Sequence, residues 1–319
     1  MGRGRRLSSH FATSSVPTEG MEGSDEMAPW MRAIKRTVKP SALANYGFLL
    51  LLSAFCLLPV IWTVSASFKD RFELYLATPT LFPRHPTLAN YQWIMQQSDI
   101  SRLPLNLWNS FKVSTGAVVI QCIIATMAGF AFARLDFMGR DLLFYLLIML
   151  MFVPRAGGLM ALYELMNFLH LRNSHLGLIL LFPSAVSTAL FVMRQNFLGV
   201  PRELEEAAII DGARTWDILL SVDLPFAKGG VAVVAIWEFI YVWGEYLITL
   251  TMIDYPELET ISIAVTKLKG WGAHFTSSIL AGYGAECAAY TAAMIPVILV
   301  FILLQRWFVR GLTEGILKL

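Results

Sequence analysis

Trp237-Glu238-Phe239-Ile240-Tyr241-Val242-Trp243-Gly244-Glu245-Tyr246 puts aromatic rings and carboxylates into an otherwise apolar run. Aromatic rings stack on the apolar faces of sugars, and carboxylates accept hydrogen bonds from hydroxyls, so this composition suits a passage for a carbohydrate. If the run is helical, Trp237, Tyr241 and Glu245 fall at i, i+4 and i+8 on one face, with Glu238 beside them. The same rings would also suit the interface between membrane and water, and Glu245 could instead pair with a residue of a partner subunit.

A second constellation occupies residues 200–228. Pro201 suits the first turn of a helix, and Glu203, Glu205 and Glu206 follow where the helix dipole favours negative charge. Ala207 and Ala208 are small enough to let another surface approach, Asp211 follows, and Gly212 permits a sharp change of direction. Trp216, Ile218 and Leu219 resume an apolar pattern, and Pro225 closes the segment. A carboxylate beside two alanines fits a docking knob for a separate protein; an amphipathic helix lying at a membrane interface fits the same pattern.

Other chemistry finds little support. Gly is nowhere followed by Lys, so a GxxxxGK[ST] phosphate loop is excluded, and GxGxxG is missing as well. His170 and His175 are badly spaced for one helical face and read as interfacial. The three cysteines, Cys56, Cys122 and Cys287, form no close pair, which excludes a disulfide scaffold or zinc ribbon and suggests small core residues. Arg155, Glu238 and Glu245 are the intramembrane charges that an ion-coupled transporter would use, but no second half repeats the first.

The elements that must position these residues are spans. Of 319 residues 56% are hydrophobic and only 15% charged, against roughly 25% charged in soluble domains. Apolar runs at 45–68, 113–133, 142–163, 176–193, 229–253 and 287–305 are expected to form six helices, because lipid leaves the backbone no other partner. Pro154 and Gly157-Gly158 should interrupt the third, and Pro183 and Pro296 should kink the fourth and sixth. Sixteen of the 25 Lys and Arg residues lie in the N-terminal tail and in the segments 134–140, 194–228 and 306–318, so both termini and the 200–228 loop are expected in the cytoplasm. The near-neutral balance of 25 basic and 23 acidic residues argues against a nucleic-acid partner. Residues 1–44 carry too little apolar surface to order themselves and read as a cytoplasmic, largely disordered tail. No apolar stretch follows Arg5-Arg6 closely enough for an export signal. Residues 45–319 then form the membrane domain.

Glu206-Ala207-Ala208, Gly212 and Val222-x-Leu224-Pro225 resemble the EAA loop of ATP-binding-cassette importer permeases. Asn90-Tyr91, Asn109-Ser110, Ala133-Arg134-Leu135 and the ending Gln305-Arg306-Trp307-Phe308-Val309-Arg310-Gly311-Leu312-Thr313 are similar to the carbohydrate, MalG-like branch. The resemblance covers about residues 45–319. It implies an all-α, polytopic permease subunit with a coupling helix from Glu206 to Asp217 that sits in a cleft of a separate ATPase, Glu206 facing a basic residue and Gly212 forming the bend. It also implies a second homologous permease, an ATPase dimer holding ATP and Mg, an extracytoplasmic solute-binding protein and a prokaryotic inner membrane, with no cofactor on this chain. Thr313 to Leu319 is implied to reach the ATPase, although Ile316-Leu317-Lys318-Leu319 departs from the usual Ala-Val-Lys-Gly. The usual Trp-Asn-Glu is Trp243-Gly244-Glu245 here, so a role for that asparagine is not inherited. Sugars and oligosaccharides are the implied solutes; a polyol or glycerol phosphate, or an ion-coupled secondary mechanism, is the alternative.

Overall fold

The computed structural model describes residues 40–314 apart from 75, 77, 97–101, 154, 185 and 275–278. The expected tail, the Pro154 break and the 315–319 ending lie wholly or largely outside these residues. The chain divides into two compact units, 1–57 and 58–319. The described part of the first is the uncharged, helical start of α1 (Pro40–Ser67), which begins on a proline as a first turn allows. All sites discussed below lie in the second unit.

All regular elements among the described residues are helices, without a strand. After α1 come α2 (Ala89–Gln96), α3 (Leu103–Arg134), α4 (Arg140–Met149), α5 (Leu159–Phe168), α6 (His175–Leu181), α7 (Ser187–Leu198), α8 (Arg202–Ile210), α9 (Lys228–Gly244), α10 (Leu247–Met252), α11 (Ile261–His274) and α12 (Ile279–Glu314). Three helical stretches are long and apolar enough to cross a membrane unbroken: Ala44–Ser67, Leu103–Arg134 and Gly282–Trp307. Two bent pairs pass the same test together, α6 with α7 at 57° and Thr215–Phe226 with α9 at 77°. The 142–163 run does not make one helix. It falls into α4 and α5, ten residues each and about 15 Å long, separated by short 3-10 turns that include Gly157 and Gly158. Pro183 sits in the 3-10 turn that breaks α6 from α7, whereas Pro296 lies inside a continuous α12.

The long helix α3 is the spine. Ser110, Ser114, Ala117, Gln121, Ala125, Gly129 and Ala133 are all buried and recur every three or four residues, giving one face that is small except at Gln121. In lipid there is little hydrophobic gain from pressing helices together, so close van der Waals approach across small residues takes over. α3 packs along α7 and α9, and α9 and α11 pack on α12. Gly129 marks the tightest point: a Cβ there would come within 2.6 Å of the Met193 Cβ and 3.0 Å of the Arg194 backbone nitrogen.

Both ends of α3 are tied to distant segments by polar side chains. At the Leu103 end, Asn106 and Asn109 donate to the Glu259 carbonyl at 3.0 Å each, and Asn109 also donates to the Glu257 carbonyl at 2.8 Å. The Ser110 hydroxyl accepts from the Ile261 N–H at 2.7 Å. Asn90 similarly donates to the Ser67 and Lys69 carbonyls, both at 2.9 Å. At the other end, Arg134 meets Glu205 at 2.5 Å.

Candidate functional site: the α8 knob and the aromatic face of α9

Pro201 is the N-cap of α8 rather than its first helical residue, with φ −60° and ψ 129°, and Glu203 and Glu205 fill the first turn. The helix stops at Ile210. Gly212, at φ +86°, turns the chain. The Ala213 N–H donates to the Ala208 carbonyl and the Gly212 N–H to the Ile209 carbonyl, both at 2.9 Å. That pair of bonds is the Schellman closure, which needs a left-handed residue where Gly212 stands. The coupling segment from Glu206 to Asp217 is therefore two helical pieces, which meet at the expected bend. The second starts at Thr215, where the Asp217 carboxylate accepts from the Arg214 N–H at 2.9 Å.

The knob has an outer and an inner side. Glu206, Ala207, Ile209, Ile210, Asp211 and Gly212 are exposed, Ile210 at 86%. Ala208, Ala213 and Val222 pack inward on a core built from Phe130, Ala133, Met193, Phe197, Ile218 and Leu219. Phe130 and Phe197 meet edge to face at 5.9 Å inside it. Ala208 thus supports the knob from behind, while Glu206 and Ala207 form its outer side. The exposed apolar pair Ile209-Ile210, beside a carboxylate, belongs to the same surface and escaped sequence reasoning, although two adjacent isoleucines on a polar loop were a visible signal.

Arg134 pins this knob to the spine. Its guanidinium, 5% exposed, contacts Glu205 at 2.5 Å, donates to the Val200 carbonyl at 2.8 Å and lies 3.7 Å from the Asp223 carboxylate. Asp223 is fully buried and belongs to a π-helical stretch, Ile218–Asp223, whose widened turn leads to the 77° bend before α9. That bend falls at Ala227, two residues beyond Pro225. Neither Glu205 nor Asp223 was singled out in the sequence for this pairing, because the three residues meet only through tertiary packing.

On α9 the candidate residues separate. Trp237, Glu238 and Tyr241 line a cavity of about 280 Å³ together with Gln121, Thr188 and Val192. Trp237 is 65% exposed and Glu238 is buried, while Tyr241 packs edge to face on Phe182 at 6.1 Å. Gln121 brings a buried side-chain oxygen that no protein group satisfies. Trp243 turns away into the core. It stacks on Phe239 at 5.4 Å, donates to the Ala293 carbonyl at 3.1 Å and borders a separate cavity of about 520 Å³ with Tyr246, Ser262 and Tyr290. Glu245 leaves the expected face altogether, because α9 ends at Gly244 and Glu245 has extended backbone, φ −71° and ψ 120°. Its carboxylate caps α10 by accepting from the Ile248 N–H at 2.8 Å, and its carbonyl accepts from the Ser262 hydroxyl at 2.7 Å.

His170 and His175 do not form a pair: His170 sits at a positive φ of 54°, and His175 instead contacts the Leu258 carbonyl at 3.0 Å and Lys112 at 3.4 Å. Among the described residues, no cluster of His, Cys, Asp and Glu could hold a metal ion.

Residues 122–314 match the family described as "Binding-protein-dependent transport system inner membrane component". The sulfoquinovosyl glycerol transport system permease protein SmoH of Agrobacterium fabrum is 34% identical over 263 residues, 82% of this chain and 89% of that one. The chain belongs to the inner-membrane permease family of binding-protein-dependent transport systems. The diacetylchitobiose uptake system permease protein NgcG of Streptomyces coelicolor is a further relative, 29% identical over 287 residues, with 89% and 91% of the two chains covered. In fold, the family member resembles a chain in the crystal structure of a bacterial ABC transporter involved in the import of the acidic polysaccharide alginate, with TM-score 0.72, 19% identity and 86% and 98% of the two chains covered.

Proposed function

We propose that this permease carries a sugar or oligosaccharide across the prokaryotic inner membrane, as half of a translocation pathway completed by a second, homologous permease. Two ATPase subunits, which hold the ATP and Mg, dock on the cytoplasmic side, and an extracytoplasmic binding protein delivers the solute. Three unbroken apolar helices, two bent pairs and the interrupted 140–168 stretch support six crossings. The bias of Lys and Arg toward the 134–140, 194–228 and 306–318 segments supports cytoplasmic termini and a cytoplasmic α8.

The observation that carries the reading is the α8 knob. A carboxylate, Glu206, stands beside Ala207 and the Ile209-Ile210 pair on an exposed turn, and the inner side of that turn is fixed to the spine. An exposed apolar pair next to an exposed carboxylate is a surface for a protein with a basic-rimmed cleft. Ala208, Asp211 and Gly212 set its shape. On the solute side, Trp237, Glu238 and Tyr241 border the pathway through one cavity, and Trp243 borders it through the other. Glu245 shapes the α9–α10 corner rather than touching solute. The names of the relatives, one for a sulfoquinovosyl glycerol system and one for a diacetylchitobiose system, support a glycoside as the solute.

The test is ATP hydrolysis by the co-purified complex in liposomes with its binding protein, across a panel of sugars, polyols and glycerol phosphate. Stimulation by one sugar is expected. Stimulation by glycerol phosphate alone, or uptake that follows an ion gradient without ATP, would overturn the solute or the energy source respectively.

A further inference from the structure

We propose that Arg134 is a positioning residue that transmits movement of the docking knob to the spine helix, through the buried ion-pair network it forms with Glu205 and Asp223. The inference rests on the docking role proposed for α8 and deepens it by naming the joint.

Three features of the geometry argue for a joint that moves as a unit. First, Arg134 is the last residue of α3, and α3 packs on both α7 and α9. A displacement of Arg134 therefore acts on the helices that enclose the Gln121–Glu238 cavity. Second, the guanidinium holds the knob at three separate places: Glu205 inside α8, the Val200 carbonyl just before it, and Asp223 in the π-helical stretch after it. The broad planar guanidinium reaches all three, through a hydrogen bond to Val200 and charge contacts to the two carboxylates, a span that a point-like ammonium does not cover. Third, the network is unbalanced. Two carboxylates face one cation, and Asp223 is fully buried with both oxygens lacking a hydrogen bond. Its approach to Arg134 at 3.7 Å is electrostatic only.

A buried acid without hydrogen bonds is costly, and it leaves Arg134 a second anchor that a displaced guanidinium can adopt. When the knob is pulled, the cation shifts its share between Glu205 and Asp223 and itself stays paired throughout. An apolar contact in this place would let the knob slide over the spine. The ion network instead makes the two move together.

The experiment uses the assembled complex, with ATPase and binding protein, in liposomes. It reads solute transported per ATP hydrolysed, a ratio that general loss of folded protein does not change. Arg134→Gln is expected to lower that ratio about tenfold, within the span seen for residues that modulate coupling without touching ligand. Arg134→Lys should lower it by less than about threefold, since charge survives but the fork is lost. Glu205→Gln keeps shape and hydrogen-bonding capacity at a partly exposed position, so it serves if Arg134→Gln fails to assemble, and it too should lower the ratio. A wild-type ratio in Glu205→Gln, or in an assembled Arg134→Gln complex, would overturn the relay. If instead no ATPase accompanies the wild-type permease, the docking reading fails first and the relay falls with it.

Discussion

The buried fastenings at the two ends of α3 differ in chemistry, an exposed Arg102–Glu257 ion pair at 3.1 Å aside. At the Leu103 end, Asn106, Asn109 and Ser110 bind backbone groups of 257–261 through neutral hydrogen bonds, all at 2.7–3.0 Å. At the Arg134 end, a guanidinium faces two carboxylates, one of them fully buried and without hydrogen bonds. Neutral bonds from two asparagines, shared over the Glu257 and Glu259 carbonyls, leave each amide and carbonyl held more than one way or by a fixed neighbour, so they make a rigid joint. Charged side chains with a spare acceptor can exchange partners at nearly constant charge pairing. On the docking role proposed for α8, the first end suits a fixed wall and the second a moving connection to the docked partner.

Several variants would break or sharpen that contrast. The largest effect is expected from Glu206→Lys on the moving side, which turns an attraction into a repulsion at the docking surface. Uptake in liposomes should fall at least about tenfold, since like charges across an interface cost several kcal/mol, while the permease inserts normally; undiminished uptake would remove Glu206 from docking. On the rigid side, Asn109→Ala takes the side-chain donor from the Glu257 carbonyl, while Asn106 still serves the Glu259 carbonyl, and should lower stability by about 1–3 kcal/mol. Thermal unfolding in detergent would register that loss, and transport per ATP should stay at the wild-type ratio. A changed ratio would mean that this end moves as well. Gly212→Ala places a Cβ in the left-handed region and should cost about 1–2 kcal/mol locally, seen as faster amide exchange in 208–213 without unfolding of α3.

The smallest effect concerns Glu73, in the single helical turn Arg71–Leu74 after α1. Burial tends to raise its pKa, but the Thr80 hydroxyl at 2.7 Å and the Arg84 and His85 backbone N–H groups, aided by Lys69, outweigh burial and hold it below its ordinary value of 4.5. A lowered folded-state pKa means that its stabilisation is complete above the ordinary value and is lost as pH falls through the folded value. Glu73→Gln should therefore lower stability slightly at neutral pH and flatten the acid limb of the stability–pH curve below pH 4.5, so that variant and wild type converge in acid. An unaltered acid limb would assign that limb to other carboxylates.

The parts of this account that could be read from sequence are those set by local rules. Gly212 declares a left-handed turn because no other residue adopts that backbone cheaply, and the glutamates after Pro201 declare the start of a helix. The motifs Asn90-Tyr91, Asn109-Ser110 and Ala133-Arg134-Leu135 were visible as a pattern, but their purpose was not. Each proves to hold a side chain that ties segments far apart in the chain, and sequence spacing carries no information about such ties. The aromatic face failed at one residue for a local reason: extrapolating the helical period through Gly244 put Glu245 beside Tyr241, whereas the helix ends at that glycine. Trp243 looked equivalent to Trp237, yet only tertiary packing decides which ring enters the core and which is exposed.

The most direct test of the docking account is site-directed cross-linking in the assembled complex. A cysteine replacing Glu206 and one replacing Phe82, which is exposed in the loop after α1, would each be treated with a short thiol–amine reagent. The account predicts a permease–ATPase product from position 206, changed in yield by ATP, and none from position 82. No product at 206 while the complex remains assembled would contradict it.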